Sequence, residues 1–396
     1  MIELLAPAGD IEKLKIAYLY GADAVFIGGE EFSLRARASN FTLEDIKESA
    51  AFAHNLGKKL YVTTNIIPHN ENYDGLVEYL KGLEEAKVDA IIAASPYIVD
   101  MARKHTNLEI HISTQQSILN TYAINYWAKK GSTRVVLGRE LDLDEIKELV
   151  ESTQQQIEVF IHGGMCASYS GRCTLSNTFT LRDANRGGCA HSCRWNYELF
   201  DNDTKLSNET LFSMSSKDLQ AINQIPKLID IGVHSLKIEG RMKSIHYIAT
   251  VVWVYRRLID EYLKTGKVKD FNYYIDEINK AENRMTAQGF LEGMPKKETQ
   301  LYNQRSERPN QIFIGIVEET QEEYIKIEQR NHFKPGDKIE VFGPNLDPTT
   351  FILDKIYDEE MNELDAARHP KQIILMKIPF KVSKNDLLRK HDEIPT

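Results

Sequence analysis

Glu158-Val-Phe-Ile-His-Gly163 and Ser235-Leu-Lys-Ile-Glu-Gly240 share one build. Each begins on a polar residue, carries apolar side chains through its centre, and ends on a polar residue followed by glycine. They are the last two of eight short strand-like runs. The others are Glu3–Ala6, Ala24–Gly28, Leu60–Asn65, Ala90–Ala93, Glu109–Thr114 and Arg134–Gly138. Most are short, apolar and β-branched, as strands buried on both faces of a parallel sheet must be. Amphipathic segments lie between them: Asp10–Tyr20, Thr42–Leu56, Leu119–Lys130, Leu143–Ser152 and Leu219–Ile231. Thr42 and Asp45 have the spacing of a helix start. This alternation predicts a TIM-type (β/α)8 barrel over residues 1–264. The alternative is an open doubly wound sheet, but no strand is followed by a glycine-rich dinucleotide fingerprint.

Residues 163–217 interrupt the alternation between the seventh and eighth strands. In a barrel this insertion leaves from the C-terminal face, where active sites sit. Residues 265–310 are charged and broken, and read as a helix followed by a linker. From 311 to 396 the pattern becomes alternating, with runs at Phe313–Val317, Tyr324–Gln329, Asp337–Phe342, Phe351–Tyr357 and Ile373–Ile378. Pro335-Gly336 and Gly343-Pro344 punctuate these runs, which predicts a small C-terminal β-barrel domain.

No run of the chain approaches the roughly 18 apolar residues that a membrane helix needs. The opening MIELLAPAGD lacks the charged and apolar regions of a signal peptide. The expected compartment is therefore the cytoplasm, with no membrane partner. The net charge of −9 argues against a uniformly basic surface. A local basic patch would still suffice for RNA, because phosphate contacts need only a few well-placed Lys and Arg.

Cys166, Cys173, Cys189 and Cys193 are the only cysteines of the 396 residues, and all lie in the insertion. In a reducing compartment such clustering indicates metal or redox chemistry rather than disulfides. Four thiolates suit an iron–sulfur cluster or a tetrahedral zinc ion. Structural zinc sites pair cysteines closely on both sides, whereas only Cys189 and Cys193 are close here, which favours iron–sulfur. His162 and His191 flank the set as alternative zinc ligands. Arg172, Arg182, Arg186 and Arg194 share the loop with recurring glycines, a combination suited to carboxylates or phosphates.

Lys237 and Glu239 alternate on the eighth strand and would share a face. In the barrel interior such a charge pair is a site candidate, and a strand-end ion pair without chemistry is the plainer reading. Arg241 and Lys243 would rim the mouth. Arg35, Asn65 and Gln115 also fall at strand ends or the loops beyond. No Gly-x-Ser-x-Gly elbow, His-Glu-x-x-His helix or Walker loop is present.

The stretch from Glu158 through Cys166, followed by Gly171-Arg-Cys173-Thr-Leu-Ser176, resembles the signature of the U-32 peptidase family, the collagenase-like proteases. Gly164 departs from it, since family members more often carry Ala or Ser there. Leu5-Ala-Pro-Ala-Gly9, Asn185-Arg-Gly-Gly-Cys189, Ser213-Met-Ser-Ser-Lys-Asp218 and Lys237-Ile-Glu-Gly-Arg-Met-Lys243 extend the likeness along the barrel. The resemblance implies a 4Fe–4S cluster on the four cysteines and oxygen-independent hydroxylation. One branch of the family makes 5-hydroxyuridine at the tRNA wobble position and depends on prephenate. Other branches act on ribosomal RNA cytidine or in ubiquinone synthesis. The short Cys189–Cys193 spacing disfavours the last, and the length and C-terminal domain are similar to the tRNA branch. The implied partner is a tRNA anticodon loop, with a paralogous family subunit as a further candidate. Arg186, Arg194 and Arg241 would then hold carboxylates, and Lys237, Glu239 and His162 would contact substrate or relay protons. Proteolysis, or a non-catalytic role in binding RNA or a partner, are the alternatives.

Overall fold

The computed structural model describes residues 2–34, 40–206, 211–281, 284–301, 311–321 and 323–391. The chain begins with seven strands: β1 (Glu3–Pro7), β2 (Ala24–Gly28), β3 (Lys59–Thr64), β4 (Ala90–Ala93), β5 (Glu109–Ile112), β6 (Arg134–Val136) and β7 (Gln156–Gly163). Between them run α1 (Ile11–Leu19), α2 (Leu43–Asn55), α3 (Leu76–Glu85), α4 (Pro96–His105), α5 (Thr121–Lys129) and α6 (Leu143–Glu151). The insertion follows with α7 (Leu175–Thr180), the hairpin β8 (Phe200–Asp201) and β9 (Thr204–Lys205), and β10 (Asp218–Gln220). Then come α8 (Ile225–Ile231), β11 (Ser235–Ile238), α9 (Ile245–Thr265), α10 (Phe271–Ile278) and β12 (Thr286–Ala287).

Strands β1 to β7 pair in parallel in chain order, and β11 pairs in parallel with both β7 and β1, which closes an eight-stranded barrel. Helix starts follow their capping chemistry. Asp10 accepts from the Lys13 amide, and Thr42 with Asp45 forms a reciprocal capping box, as Asp142 with Glu145 does. Gly232 and Gly266 end α8 and α9 in the left-handed conformation.

Two segments depart from the sequence reading. Leu219–Ile231 is not one helix: Leu219 pairs with Gly163 in an antiparallel bridge, and Pro226 sits in the first turn of the shorter α8. The expected linker after α10 runs back over the barrel. Its Thr286 pairs with Asp218, Arg284 forms a buried ion pair with Asp218, and the Leu301 amide donates to Ser215.

The N-terminal end of the barrel is closed by charge. Arg134 lies 2.6 Å from Glu3 and 3.2 Å from Glu158. Lys237 reaches back to Glu158 at 2.7 Å, and Tyr61 and Ser235 both donate to Glu3. Above this network Leu5, Ala24, Phe26, Tyr61, Ala90 and Ile92 pack together. Between the barrel and its helices lies the main apolar core.

The C-terminal domain comprises β13 (Gln311–Thr320), β14 (Ile325–Gln329), β15 (Lys338–Gly343), β16 (Leu346–Ile352), β17 (Ile356–Tyr357), β18 (Glu363–Leu364), β19 (Ile373–Met376) and β20 (Leu387–His391). They form one antiparallel sheet, ordered β16-β15-β20-β13-β14-β19-β17-β18, around a separate core that includes Ile314, Phe333, Val341 and Ile374. The sheet docks on α1, α9 and α10. Tyr20 donates to the Asn385 carbonyl (2.9 Å), the Trp253 indole to Gly343 (3.0 Å), and the fully buried Arg389 to Glu277 (2.8 Å). Among the described residues, no helix is long and apolar enough to cross a membrane.

Candidate active site

At the C-terminal mouth the strands end in short polar side chains. Asn65 accepts from the Leu34 amide (3.2 Å) and donates to Ser113 (3.4 Å). Arg241 spans the mouth from the end of β11 and donates to Ser33 (3.0 Å), Thr63 (3.1 Å) and the Leu34 carbonyl (3.3 Å). It lies so close over Gly28 that a β-carbon there would come within 2.2 Å of its guanidinium. Lys243 stands 5.3 Å from the ring centre of Tyr247. Arg35 lies outside the described residues.

The insertion is fastened to three sides of this mouth. Arg186 binds Glu71 at 2.6 Å and Asn72 at 3.0 Å, on the loop after β3. Ser170 donates from its amide to Glu140 (2.8 Å) and accepts from Ser117 through its carbonyl. Gly171, at φ +72°, rests on the backbone of Gln115, where a β-carbon would meet the carbonyl oxygen at 2.0 Å. These anchors gather the cysteines. Each of Cys166 and Cys193 lies within electrostatic reach of the other three thiols. Burial pushes the thiols of both up, and the neighbouring thiols push further, while Arg194 pulls both the other way and Arg139 pulls on Cys166. Cys166 and Cys189 are exposed, and Cys173 and Cys193 are half-buried. No disulfide joins the four. Among the described residues, no three His, Cys, Asp or Glu side chains already converge into a metal-ligand set.

Two arginines face the cysteines. Arg139 lies over the Phe160 ring, 3.8 Å from its centre, and donates to the Gly164 carbonyl (2.7 Å), leaving its buried Nε without a partner. Arg194 sits beside Gly164, and its guanidinium donates no hydrogen bond among the described residues. Burial and the nearby Arg284 lower its proton affinity.

The other sequence candidates are placed apart from the cysteines. Lys237 takes Glu158 on the adjacent strand as its partner, with Phe26 under its ammonium at 4.4 Å. Burial opposes ionisation of Glu158, but Lys237 and Arg134 outweigh it and hold the carboxyl below the usual range. His162 is buried on the helix side of β7, its ring 5.8 Å from Tyr247 and 5.6 Å from Tyr255. Glu239 is half-buried at the rim, and its carbonyl accepts from Tyr247 (2.8 Å). Sequence reasoning passed over Glu158, Arg134 and Arg139. The first carried a visible signal, a carboxylate at the head of an apolar strand.

The pattern of peptidase family U32 matches residues 9–301, and that of the family's C-terminal domain matches 309–389. The chain belongs to peptidase family U32. One relative, "tRNA hydroxylation protein P1" of Bacillus subtilis, is 50% identical over 98% of this chain and 94% of its own length. The "tRNA hydroxylation protein P" of Haemophilus influenzae is 32% identical over 97% of this chain and 94% of its own. A protein of Porphyromonas gingivalis named "Collagenase" is 31% identical over 99% of this chain and 98% of its own.

Proposed function

We propose that this U32 protein hydroxylates the wobble uridine of tRNA to 5-hydroxyuridine without molecular oxygen, with prephenate as co-substrate and a 4Fe–4S cluster on Cys166, Cys173, Cys189 and Cys193. The carrying observation is that one loop at the C-terminal mouth of the barrel carries Arg194 and all four cysteines, with Cys193 in electrostatic reach of the other three thiols. Two relatives that match along the whole chain are named for tRNA hydroxylation, which supports an RNA substrate.

The residues fit the cluster. The donor set is all sulfur, which suits iron–sulfur ligation. Arginines rather than acids stand beside it, offsetting the negative charge of thiolates and sulfides. A cluster bound there supplies one-electron redox chemistry. The chain's own residues do the rest. Of the three arginines expected to hold carboxylates, Arg186 and Arg241 are engaged within the protein, so Arg194, joined by the Nε of Arg139, takes the anionic group of the co-substrate. Asn65, Ser113 and Gln115 offer neutral hydrogen bonds to a base splayed into the mouth. Glu239 at the rim would contact the substrate or relay protons. A peptidase reading draws on the collagenase relative. It needs a thiolate activated by a neighbouring base, whereas the Cys166 thiol is pushed up and His162 is turned to α9.

The test is iron and sulfide analysis of anaerobically purified protein, with nucleoside analysis of tRNA from a deletion strain. We expect close to four irons per chain, a Cys189→Ser variant that loses them, and 5-hydroxyuridine restored only by the parent. Stoichiometric zinc, or peptide cleavage that survives removal of iron, would sink the reading.

A further inference from the structure

The insertion exposes aromatic surface that the barrel does not need. Phe179 is 49% exposed and Trp195 43% exposed, and both rings pack on Tyr197, at 5.6 Å and 6.5 Å between centres with tilts of 38° and 32°. The middle ring is held firmly. Tyr197 and Phe212 exchange backbone hydrogen bonds of 2.7 Å in both directions, and the Tyr197 hydroxyl donates to the Ser192 carbonyl at 2.7 Å. Leu181, 94% exposed in a left-handed backbone, extends the apolar face. Exposed apolar surface this dense marks an interaction site.

Its position and charge indicate the occupant. Trp195 follows Cys193-Arg194 directly, so one end of the ladder adjoins the cysteines. Between Cys166 and Tyr197 the chain carries Arg172, Arg182, Arg186 and Arg194 against the single acid Asp183, in a protein of net charge −9. Arg172 and Arg182 are exposed. Aromatic rings interleaved with arginine are what unpaired bases and their phosphates require, because every base has a face to stack and every link a charge to neutralise.

We propose that Phe179, Tyr197 and Trp195 form a stacking ladder for unpaired bases of a single-stranded RNA loop, setting the neighbouring nucleotide at the barrel mouth beside Cys193. This rests on the RNA reading above and assigns the surface that orients the substrate. The ladder recognises base faces rather than base edges, so it binds by strandedness and leaves identity to the mouth.

The chain provides its own reporter. Of its three tryptophans, Trp127 and Trp253 are buried, so a solute-dependent change in indole emission reports Trp195. The experiment titrates the full chain with a short single-stranded oligouridylate, with an abasic ribose-phosphate oligomer of equal charge, and with an RNA duplex, at one fixed salt concentration. Saturable quenching by the oligouridylate alone is expected. Phe179→Leu should weaken that binding about tenfold, and Trp195→Leu, followed by filter binding, should do likewise, the lower end of what a stacked base contributes. Unchanged thermal unfolding of both variants excludes misfolding, and Trp195→Phe should retain affinity. Equal quenching by the abasic oligomer, or RNA binding indifferent to both leucine variants, overturns the ladder and leaves the RNA reading standing. Failure to bind any RNA, together with unaltered tRNA nucleosides in the deletion strain, overturns both. A concentration-dependent dimer that Trp195→Leu dissolves would show that a second copy covers this face, and would also overturn the ladder.

Discussion

Replacing Lys237 with Met separates two roles that the sequence left joined. Lys237 was a candidate for chemistry because it shares a strand with Glu239. In the folded protein its ammonium lies 2.7 Å from Glu158 at a level where both side chains are buried. Removing one member of a buried ion pair costs roughly 3–5 kcal/mol, because the other charge is left stranded. Here Arg134 remains 3.2 Å from Glu158, so we expect the lower figure, about 3 kcal/mol. For a barrel domain of this size that is a fall in Tm of about 5 °C. The pH dependence carries a sign. In the parent, the Glu158 carboxyl is held below its ordinary range, so its contribution is present above the unfolded pKa and is lost as pH falls through the folded one. In Lys237→Met, burial with one cation fewer shifts the folded pKa upward. If it rises above the unfolded value, stability is present at low pH and is lost as pH rises through it. The loss in Tm should therefore be larger at about pH 8 than at about pH 5. Adding Glu158→Gln should recover much of it, since no charge then remains stranded. Scanning fluorimetry at the two pH values, with nucleoside analysis of the complemented strain, reads all of this. An unchanged Tm at both pH values with hydroxylation abolished would refute the structural assignment and return Lys237 to the chemistry.

Gly171→Ala should strip the proposed cluster site while sparing the barrel. Its β-carbon would meet the Gln115 carbonyl at 2.0 Å from a left-handed backbone, so the loop between Cys166 and Cys173 must lift. We expect bound iron to fall by more than half with far-ultraviolet circular dichroism unchanged. Arg389→Met should loosen the C-terminal domain, because Arg389 is fully buried and bonded to Glu277 of α10 and Glu340 of β15. Calorimetry should show one thermal transition resolving into two, with about 3 kcal/mol lost from the interface.

Much of the barrel was legible because its strands obey a simple rule. Residues buried on both faces must be apolar, and Ala24–Gly28 and Ala90–Ala93 can be read directly. The cysteines stood out in the sequence because all four fall in one loop of a 396-residue chain. What escaped reading depends on register and on pairing across the chain. Alternation along β7 points His162 inward, but the pairing with β11 slips between Lys237 and Ile238, so that Phe160 is followed by His162 in register. The slip accompanies a histidine that packs on α9 instead of lining the barrel. The two-residue β12 and three-residue β10 are too short to show a period, so the strap they form could not be foreseen. Strand β20 escaped because its buried Arg389 reads as a surface residue until Glu277 and Glu340 are placed beside it.

The distribution of charge inside one barrel separates support from function. At the N-terminal end Glu3, Arg134, Glu158 and Lys237 satisfy one another within about a hydrogen-bond length, and a matched network of this kind has nothing left to offer a ligand. At the C-terminal end Arg194 donates to no group among the described residues, and Arg139 leaves its buried Nε idle. A partly buried guanidinium without a hydrogen-bond acceptor is costly, and here it stands beside Cys166 and Cys193, whose thiols burial pushes up. Under the proposed function, loading the mouth would relieve both: metal binding would turn the thiols to thiolates, and an anionic co-substrate would meet the arginines. The mouth is thus built to gain stability when loaded, which predicts that iron and a dicarboxylate raise Tm together by more than the sum of each alone. Strictly additive shifts would mean that the thiols and the arginines do not share one site.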